Sequence, residues 1–323
     1  MISFSEVQAI IKENIQNIQY PNQPQKLYQP IEYILSLKGK KIRPALVLLA
    51  CNLYKENIQE SVNSALAWEI FHNFTLMHDD VMDNADVRRG EPTVHKKWNE
   101  NTAILSGDAM LVLAYKYISM YSGEKLSVLL DLFNKTTAEI FDGQEYDMQF
   151  EERMDVTEEE YLNMIRLKTA VMIGACLKTG AIIGNADKKD QELLYDFGIN
   201  LGIAFQIQDD TLDIYGNSII FGKNIGGDIL CNKKTFFLIN AFNLSERNDK
   251  EELIRWLETE NRPEEKIKAI TDLYNRLGIR IKAQNKMEEY YQKAIIALDN
   301  VSVSEEKKQA LKNLAEELMD RKS

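Results

Sequence analysis

The chain has 323 residues, 45% hydrophobic and 28% charged, with a formal net charge of −11. That length accommodates one large domain or two ordinary ones, and the composition is that of a soluble globular protein with ample core. The acidic balance argues against a nucleic acid or an anionic membrane surface as the main partner. Basic residues concentrate locally at Lys38-Lys40-Lys41-Arg43, Arg88-Arg89 and Lys223/Lys233-Lys234, a distribution suited to a small anionic ligand.

In chain order, Ile11, Ile15 and Ile18 share a helical face near the start, and no basic stretch followed by an apolar block marks a signal peptide. Pro21 to Pro30 reads as a short extended connector. The basic run Lys38 to Arg43 then opens a helix, whose N-terminal amides favour anions. Pro44 to Cys51 is the longest apolar run, too short to cross a bilayer, so no stable membrane insertion is expected. Further on, Leu126, Leu129, Leu130, Phe133, Ile140 and Phe141 form an apolar stripe. Thr157 and Glu160 form a capping box for a helix carrying Tyr161, Met164, Ile165 and Val171. Ile219 to Asn232 is a glycine-containing loop, and Ser304-Glu305-Glu306 caps a last helix. None of the six prolines falls between Thr93 and Arg262, so long helices run unbroken there. No sustained period-two alternation is present. The expected fold is all-α, a single large helical domain over residues 1–323. Cys51, Cys176 and Cys231 lack metal or disulfide spacing and are expected to be reduced, buried thiols of a cytosolic protein.

Two acidic pentads punctuate this pattern, Asp79-Asp80-Val81-Met82-Asp83 and Asp209-Asp210-Thr211-Leu212-Asp213, both D-D-x-x-D. Each follows an apolar helical run, Phe71 to Met77 and Ile199 to Ile207. On a helix the first and fifth residues lie one turn apart on one face, which pairs Asp79 with Asp83 and Asp209 with Asp213. Such carboxylate pairs hold hard divalent cations, and those cations hold phosphates. A single pentad would equally be a solvated helix end; two copies after apolar runs argue for metal. Calcium-loop spacing is absent. Arg88-Arg89 directly follows the first pentad, and arginine forks bind phosphate oxygens bidentately. His72, taken alone, is as readily a satisfied core residue.

These segments resemble the trans-isoprenyl diphosphate synthases, or polyprenyl synthetases, across nearly the whole chain. The resemblance rests on Gly39-Lys40-Lys41-Ile42-Arg43-Pro44, His72, Asp79 to Asp83 with Arg88-Arg89-Gly90, and Gly143-Gln144. It continues through Lys168-Thr169, Phe205 to Asp213, Gly222-Lys223 with Gly226-Gly227-Asp228-Ile229, and Lys233-Lys234-Thr235. It implies a helical bundle around a central active-site cavity, magnesium as cofactor (three ions with bound diphosphate), a homodimer and a cytoplasmic location. By resemblance, Asp79, Asp83 and Asp209 ligate the magnesium that binds an allylic diphosphate, with Asp80, Asp210 and Asp213 supporting the site and Asp213 counted among the metal-binding carboxylates. Arg88, Lys168, Gln206, Lys223 and Lys233 surround that diphosphate, Thr169 lies at the allylic chain, and Lys40, Arg43, His72 and Arg89 bind isopentenyl diphosphate. The residues expected to carry catalysis are Asp79, Asp80, Asp83, Arg88, Lys168, Asp209 and Lys223. Asn224 stands where the family often has proline and Asn232 where glycine is usual, which implies altered loop stiffness.

The implied reaction ionises an allylic diphosphate (dimethylallyl, geranyl or farnesyl), and the double bond of isopentenyl diphosphate attacks the cation. Thr75 and Phe74, four and five residues before Asp79, lie one helical turn down the tunnel expected to hold the growing chain. Phe71 and Trp68 are deeper stops. In the family an aromatic residue at the position of Phe74, without an insertion in the first pentad, implies a short-chain product, geranylgeranyl diphosphate ahead of farnesyl diphosphate. Phe74 as plain core is the other reading. Terpene cyclases and head-to-head condensing enzymes lack the second D-D-x-x-D joined to Gly222-Lys223 and Lys233, and non-catalytic partner subunits lose motif residues that this chain retains.

Overall fold

The computed structural model describes residues 2–216 and 225–320. Apart from two two-residue strands, the described elements are helical, so the all-α expectation holds. The chain divides into two compact units, neither contiguous in sequence: Met1–Lys135 with Ala175–Tyr195 and Asn300–Leu314, and Thr136–Gly174 with Asp196–Asp299 and Ala315–Ser323.

The first unit opens with α1 (Phe4–Gln16), α2 (Gln25–Ser36), α3 (Ile42–Asn52) and α4 (Val62–Met82). The α1 helix starts on a Ser3–Glu6 capping box. The connector after it is shorter than the prolines suggested, because α2 begins at Gln25 and contains Pro30. Proline inside a helix removes one backbone hydrogen bond, and burial of Ile31, Ile34 and Leu35 on the same helix offsets that loss. α3 is buried from Pro44 to Asn52, as expected of a helix apolar on all sides. α4 packs most extensively on α6 (Glu100–Ile118), which follows a hairpin, β1 (Val87–Arg88) and β2 (Glu91–Pro92), and the short helix α5 (Val94–Lys97). Trp68, Phe71 and Phe133 are fully buried and in ring contact, with Trp68–Phe133 centroids 4.8 Å apart and Phe71–Phe133 centroids 5.5 Å apart.

Helices α7 (Gly123–Glu151), α9 (Val171–Gly184) and α10 (Lys188–Tyr215) contribute residues to both units. In α7, Leu129, Phe133 and Ile140 are buried, but Phe141 is exposed; it is the next residue round the helix, about 100° from Ile140. The Thr157–Glu160 capping box starts α8 (Glu158–Ile165) as its sequence dictates, and a π-helical turn, Arg166–Ala170, joins α8 to α9. The continuous stretch Glu158–Gly184 is long and apolar enough to cross a bilayer by length and composition, yet 83% of its most apolar window is buried inside the protein. It is a core helix. In the second unit, Tyr161, Ile203, Ile207, Phe236, Phe237 and Leu273 belong to one apolar cluster. The segment read as a loop from Ile219 to Asn232 includes a helical turn at Gly227–Leu230. Cys231 follows that turn and is exposed, contrary to expectation, while Cys51 and Cys176 are buried.

Candidate active site

The first pentad is the end of α4. Asp79 is half-buried on its last turn and Asp83 is the exposed C-cap, whose N–H donates to the Asp79 carbonyl at 2.8 Å. Asp80 turns the other way and is buried. Its Oδ1 accepts from Nε and Nη2 of Arg88, both at 2.7 Å. Burial pushes its carboxyl up, and Arg88 pulls it down. Arg88 reaches back because the chain reverses at Arg89-Gly90, where both residues have positive φ (56° and 83°) and Arg88 pairs with Glu91. Two consecutive positive φ values define the I′ hairpin turn, which glycine permits at its second position. Thr93 secures the hairpin through its N–H to the Asp86 carbonyl at 3.0 Å and its hydroxyl to the Ala85 carbonyl at 2.7 Å.

In the same unit Arg43 and His72 are in contact, Nη1 to Nε2 at 3.2 Å. A guanidinium only donates, so His72 Nε2 accepts and the ring proton sits on Nδ1. Burial, then the charges of Arg43 and Arg89, hold the imidazole well below its ordinary pKa, so it is neutral at pH 7. Arg43 itself is held below its ordinary value, chiefly by burial, and its Nε is buried without a partner. Gly39 lies against Arg89; a Cβ there would be 3.1 Å from the guanidinium carbon. Lys41, at φ 50°, leads into α3 and pairs with buried Glu69 at 2.9 Å, while Lys40 is exposed, its carbonyl accepting from Gln8 at 2.7 Å. Of the residues expected to bind isopentenyl diphosphate, Arg43, His72 and Arg89 are thus electrostatic neighbours. The charge of Glu69 acts on both Arg43 and Arg89, but Glu69 is itself paired with Lys41, so a partly desolvated guanidinium here gains by binding an anion.

Below the pentad, Phe74 is 5% exposed and packs on Phe71 (centroids 5.6 Å apart) and His78 (4.7 Å). Thr75 is half-buried, its hydroxyl donating to the His72 carbonyl at 2.8 Å.

In the second unit Asp209 and Asp213 are half-buried on α10, one turn apart, and Asp210 is buried. One oxygen of Asp213 accepts from the Asp228 N–H at 3.0 Å, at the start of the Gly227–Leu230 turn. Burial and the nearby charge of Asp228 push the Asp210 carboxyl up to about 7. Lys168 and Thr169 lie in the π-helical turn, a feature that re-aims side chains and recurs at functional sites. Lys168 pairs with Asp147 at 2.5 Å, and Thr169 Oγ1 donates to Gln206 Oε1 at 3.2 Å. Gly143 lets α7 approach that turn, since a Cβ there would stand 2.4 Å from the Lys168 nitrogen. A cavity of about 100 Å³ is lined by Lys168, Thr169, Gln206, Asp210 and Lys233, to which the sequence assigns site roles, and by Asp147, Tyr161, Lys234 and Thr235, to which it assigns none. Asp147 was legible in principle, one turn beyond Gly143 on α7. Lys234 is buried, its ammonium donating to the Glu151 carbonyl at 3.3 Å, and burial lowers its pKa. Lys223 and Asn224 fall outside the described residues.

No group of three or more His, Cys, Asp or Glu side chains converges on one metal position among the described residues. Each pentad instead offers two carboxylates one turn apart, an all-oxygen set that fits magnesium, which binds through one or two carboxylates plus substrate phosphates.

A helical fold bearing two D-D-x-x-D helix segments beside clustered arginines and lysines defines a class of protein suited to binding diphosphates through divalent cations. The chain belongs to the polyprenyl synthetase family, whose sequence model matches residues 24–274. It is 42% identical over 221 residues to the geranylgeranyl diphosphate synthase of Methanosarcina mazei, covering 68% of each chain. A crystal structure of a geranylgeranyl pyrophosphate synthase superposes with a TM-score of 0.95 at 42% identity, covering both chains completely. The polyprenyl synthase of Caulobacter crescentus CB15, solved with calcium and isoprenyl diphosphate, matches with a TM-score of 0.85 at 26% identity over 99% of this chain and 94% of that one.

Proposed function

We propose that the protein is a short-chain trans-prenyltransferase that condenses isopentenyl diphosphate head-to-tail with an allylic diphosphate, geranylgeranyl diphosphate being its main product. The observation that carries this reading is Arg43, a half-buried arginine whose Nε is buried and unpartnered, set beside a neutral histidine in a family built around diphosphates. Arg43, His72, Arg89 and Lys40 bind the isopentenyl diphosphate. Lys168, Gln206, Lys233, Arg88 and Lys223 bind the allylic diphosphate, and Asp147 aims Lys168 through the 2.5 Å pair. Asp79, Asp83, Asp209 and Asp213 hold magnesium, which when bound neutralises charge developing on the leaving diphosphate. The allylic C–O bond breaks, the isopentenyl double bond attacks the cation, and the proton leaves to the released diphosphate, so no protein base is required. Apolar residues around the pentads keep water from the cation. The same proposal takes residues 1–323 as one synthase domain acting as a cytoplasmic homodimer.

The test is incubation of the purified protein with magnesium, isopentenyl diphosphate and each allylic primer in turn, with products resolved by mass spectrometry. A C20 prenyl diphosphate is expected. A folded protein that forms no prenyl product with any primer would overturn the assignment, and a C15 main product would replace geranylgeranyl by farnesyl diphosphate.

A further inference from the structure

Asp210 differs from its neighbours in the second pentad. It is 5% exposed, and both carboxylate oxygens are occupied by donors from three separate elements. Oδ2 accepts from the Tyr161 hydroxyl of α8 at 2.6 Å and from the Phe236 N–H, at the start of the Phe236–Leu244 helix, at 3.1 Å. Oδ1 accepts from Gln206 Nε2, one turn earlier on α10, at 3.2 Å. Gln206 turns its amino group toward Asp210, the arrangement an ionised Asp210 requires because a carboxylate only accepts, and this leaves Gln206 Oε1 to accept from Thr169. Tyr161, 1% exposed, thereby stands at the head of a chain running through Asp210 and Gln206 to Thr169. Its ring is held independently, packed on Phe236 with centroids 6.0 Å apart.

We infer that Tyr161 is a positioning residue for the second aspartate motif. Its hydroxyl anchors Asp210 as an internal brace that ties α10 to α8 and to the Phe236–Leu244 helix, sets the polarity of the Gln206 amide and fixes the pitch at which Asp209 and Asp213 present their carboxylates. This rests on the reading of Asp209 and Asp213 as magnesium-holding groups. Without the hydroxyl, Asp210 is a buried carboxylate short of one donor, and it swings toward other donors and takes Gln206 with it. The middle aspartate of the first pentad is withdrawn in the same manner, onto Arg88. Each motif therefore spends its second carboxylate on holding the first and the last.

The test is Tyr161→Phe, which removes one oxygen and keeps the ring packing, with Asp209→Asn as a parallel variant. Partners one shell out from a metal are worth roughly 10- to 100-fold in metal affinity or activity. Tyr161→Phe is therefore expected to raise the magnesium concentration for half-maximal activity, and the allylic KM, by about tenfold, with the isopentenyl KM unchanged. The stabilisation of the protein against heat by magnesium plus inorganic diphosphate should shrink in parallel. An unchanged magnesium dependence in Tyr161→Phe, or a lowered melting temperature with kcat reduced and magnesium half-saturation unaltered, overturns the brace. If Asp209→Asn itself leaves magnesium dependence unaltered, the underlying reading of the pentad fails instead.

Discussion

Truncating Phe74 to alanine separates a chain-length stop from plain core. The side chain is 5% exposed and touches the rings of Phe71 and His78. Phe→Ala at such a site costs about 3–5 kcal/mol, to which each lost ring pair contributes about 0.5–1.5 kcal/mol. At roughly 2–4 °C per kcal/mol for a large domain, the melting temperature should fall by about 6–20 °C, so product assays belong well below the wild-type transition. The deleted phenyl ring leaves a void comparable in bulk to one isoprene unit. If the void opens toward the growing chain, a prenyl tail entering it regains about 0.8 kcal/mol per methylene buried. Two outcomes are expected together: the main product lengthens by at least one isoprene unit, and a longer prenyl diphosphate raises the melting temperature of Phe74→Ala more than that of the wild type. Phe74→Leu, which refills most of the void, should restore the original product. An unchanged product ladder at the expected destabilisation would refute the reasoning and leave Phe74 as core alone.

Gly143→Ala places a methyl 2.4 Å from the Lys168 nitrogen, so the π-helical turn must shift. We expect a loss of about 1–3 kcal/mol in denaturant unfolding together with a raised allylic KM, because Lys168 is drawn off Asp147; wild-type kinetics in this variant would exclude that close approach as functional. His72 predicts a pH dependence with a definite sign. Burial and Arg43 depress its folded pKa, so the unfolded chain takes up a proton as pH falls through about 6.5 while the folded protein does not. The contribution of His72 is thus fully present above that pH and is lost below it, by at most about 1.4 kcal/mol per pH unit. His72→Gln should flatten this part of the urea-stability profile, and inorganic diphosphate, by adding negative charge beside the ring, should flatten it in the wild type; identical profiles in all three would refute the assignment.

The residues themselves determined the chemistry and the element types. Two pentads after apolar runs, the arginines behind the first, the capping box at Thr157 and the absence of proline from Thr93 to Arg262 are local signals, each a consequence of side-chain type and helical period. Where a local signal was weak the reading slipped. Pro30 looked like a connector, because the burial that offsets its missing N–H comes from residues brought together only on folding. Cys231 looked like core, because apolar neighbours in sequence do not fix which side of a turn faces solvent. The tertiary structure alone decided the division of labour inside each pentad. Asp79 and Asp80 are adjacent and chemically identical, yet helical geometry turns Asp80 inward onto Arg88, and the hairpin at Arg89-Gly90 delivers that partner. Asp210 is likewise withdrawn by Tyr161 and by a backbone N–H at Phe236, donors 49 and 26 residues distant in sequence. Periodicity reports which residues share a face; only packing supplies the donors that make one carboxylate a brace and leave its neighbour on the half-buried side of the helix.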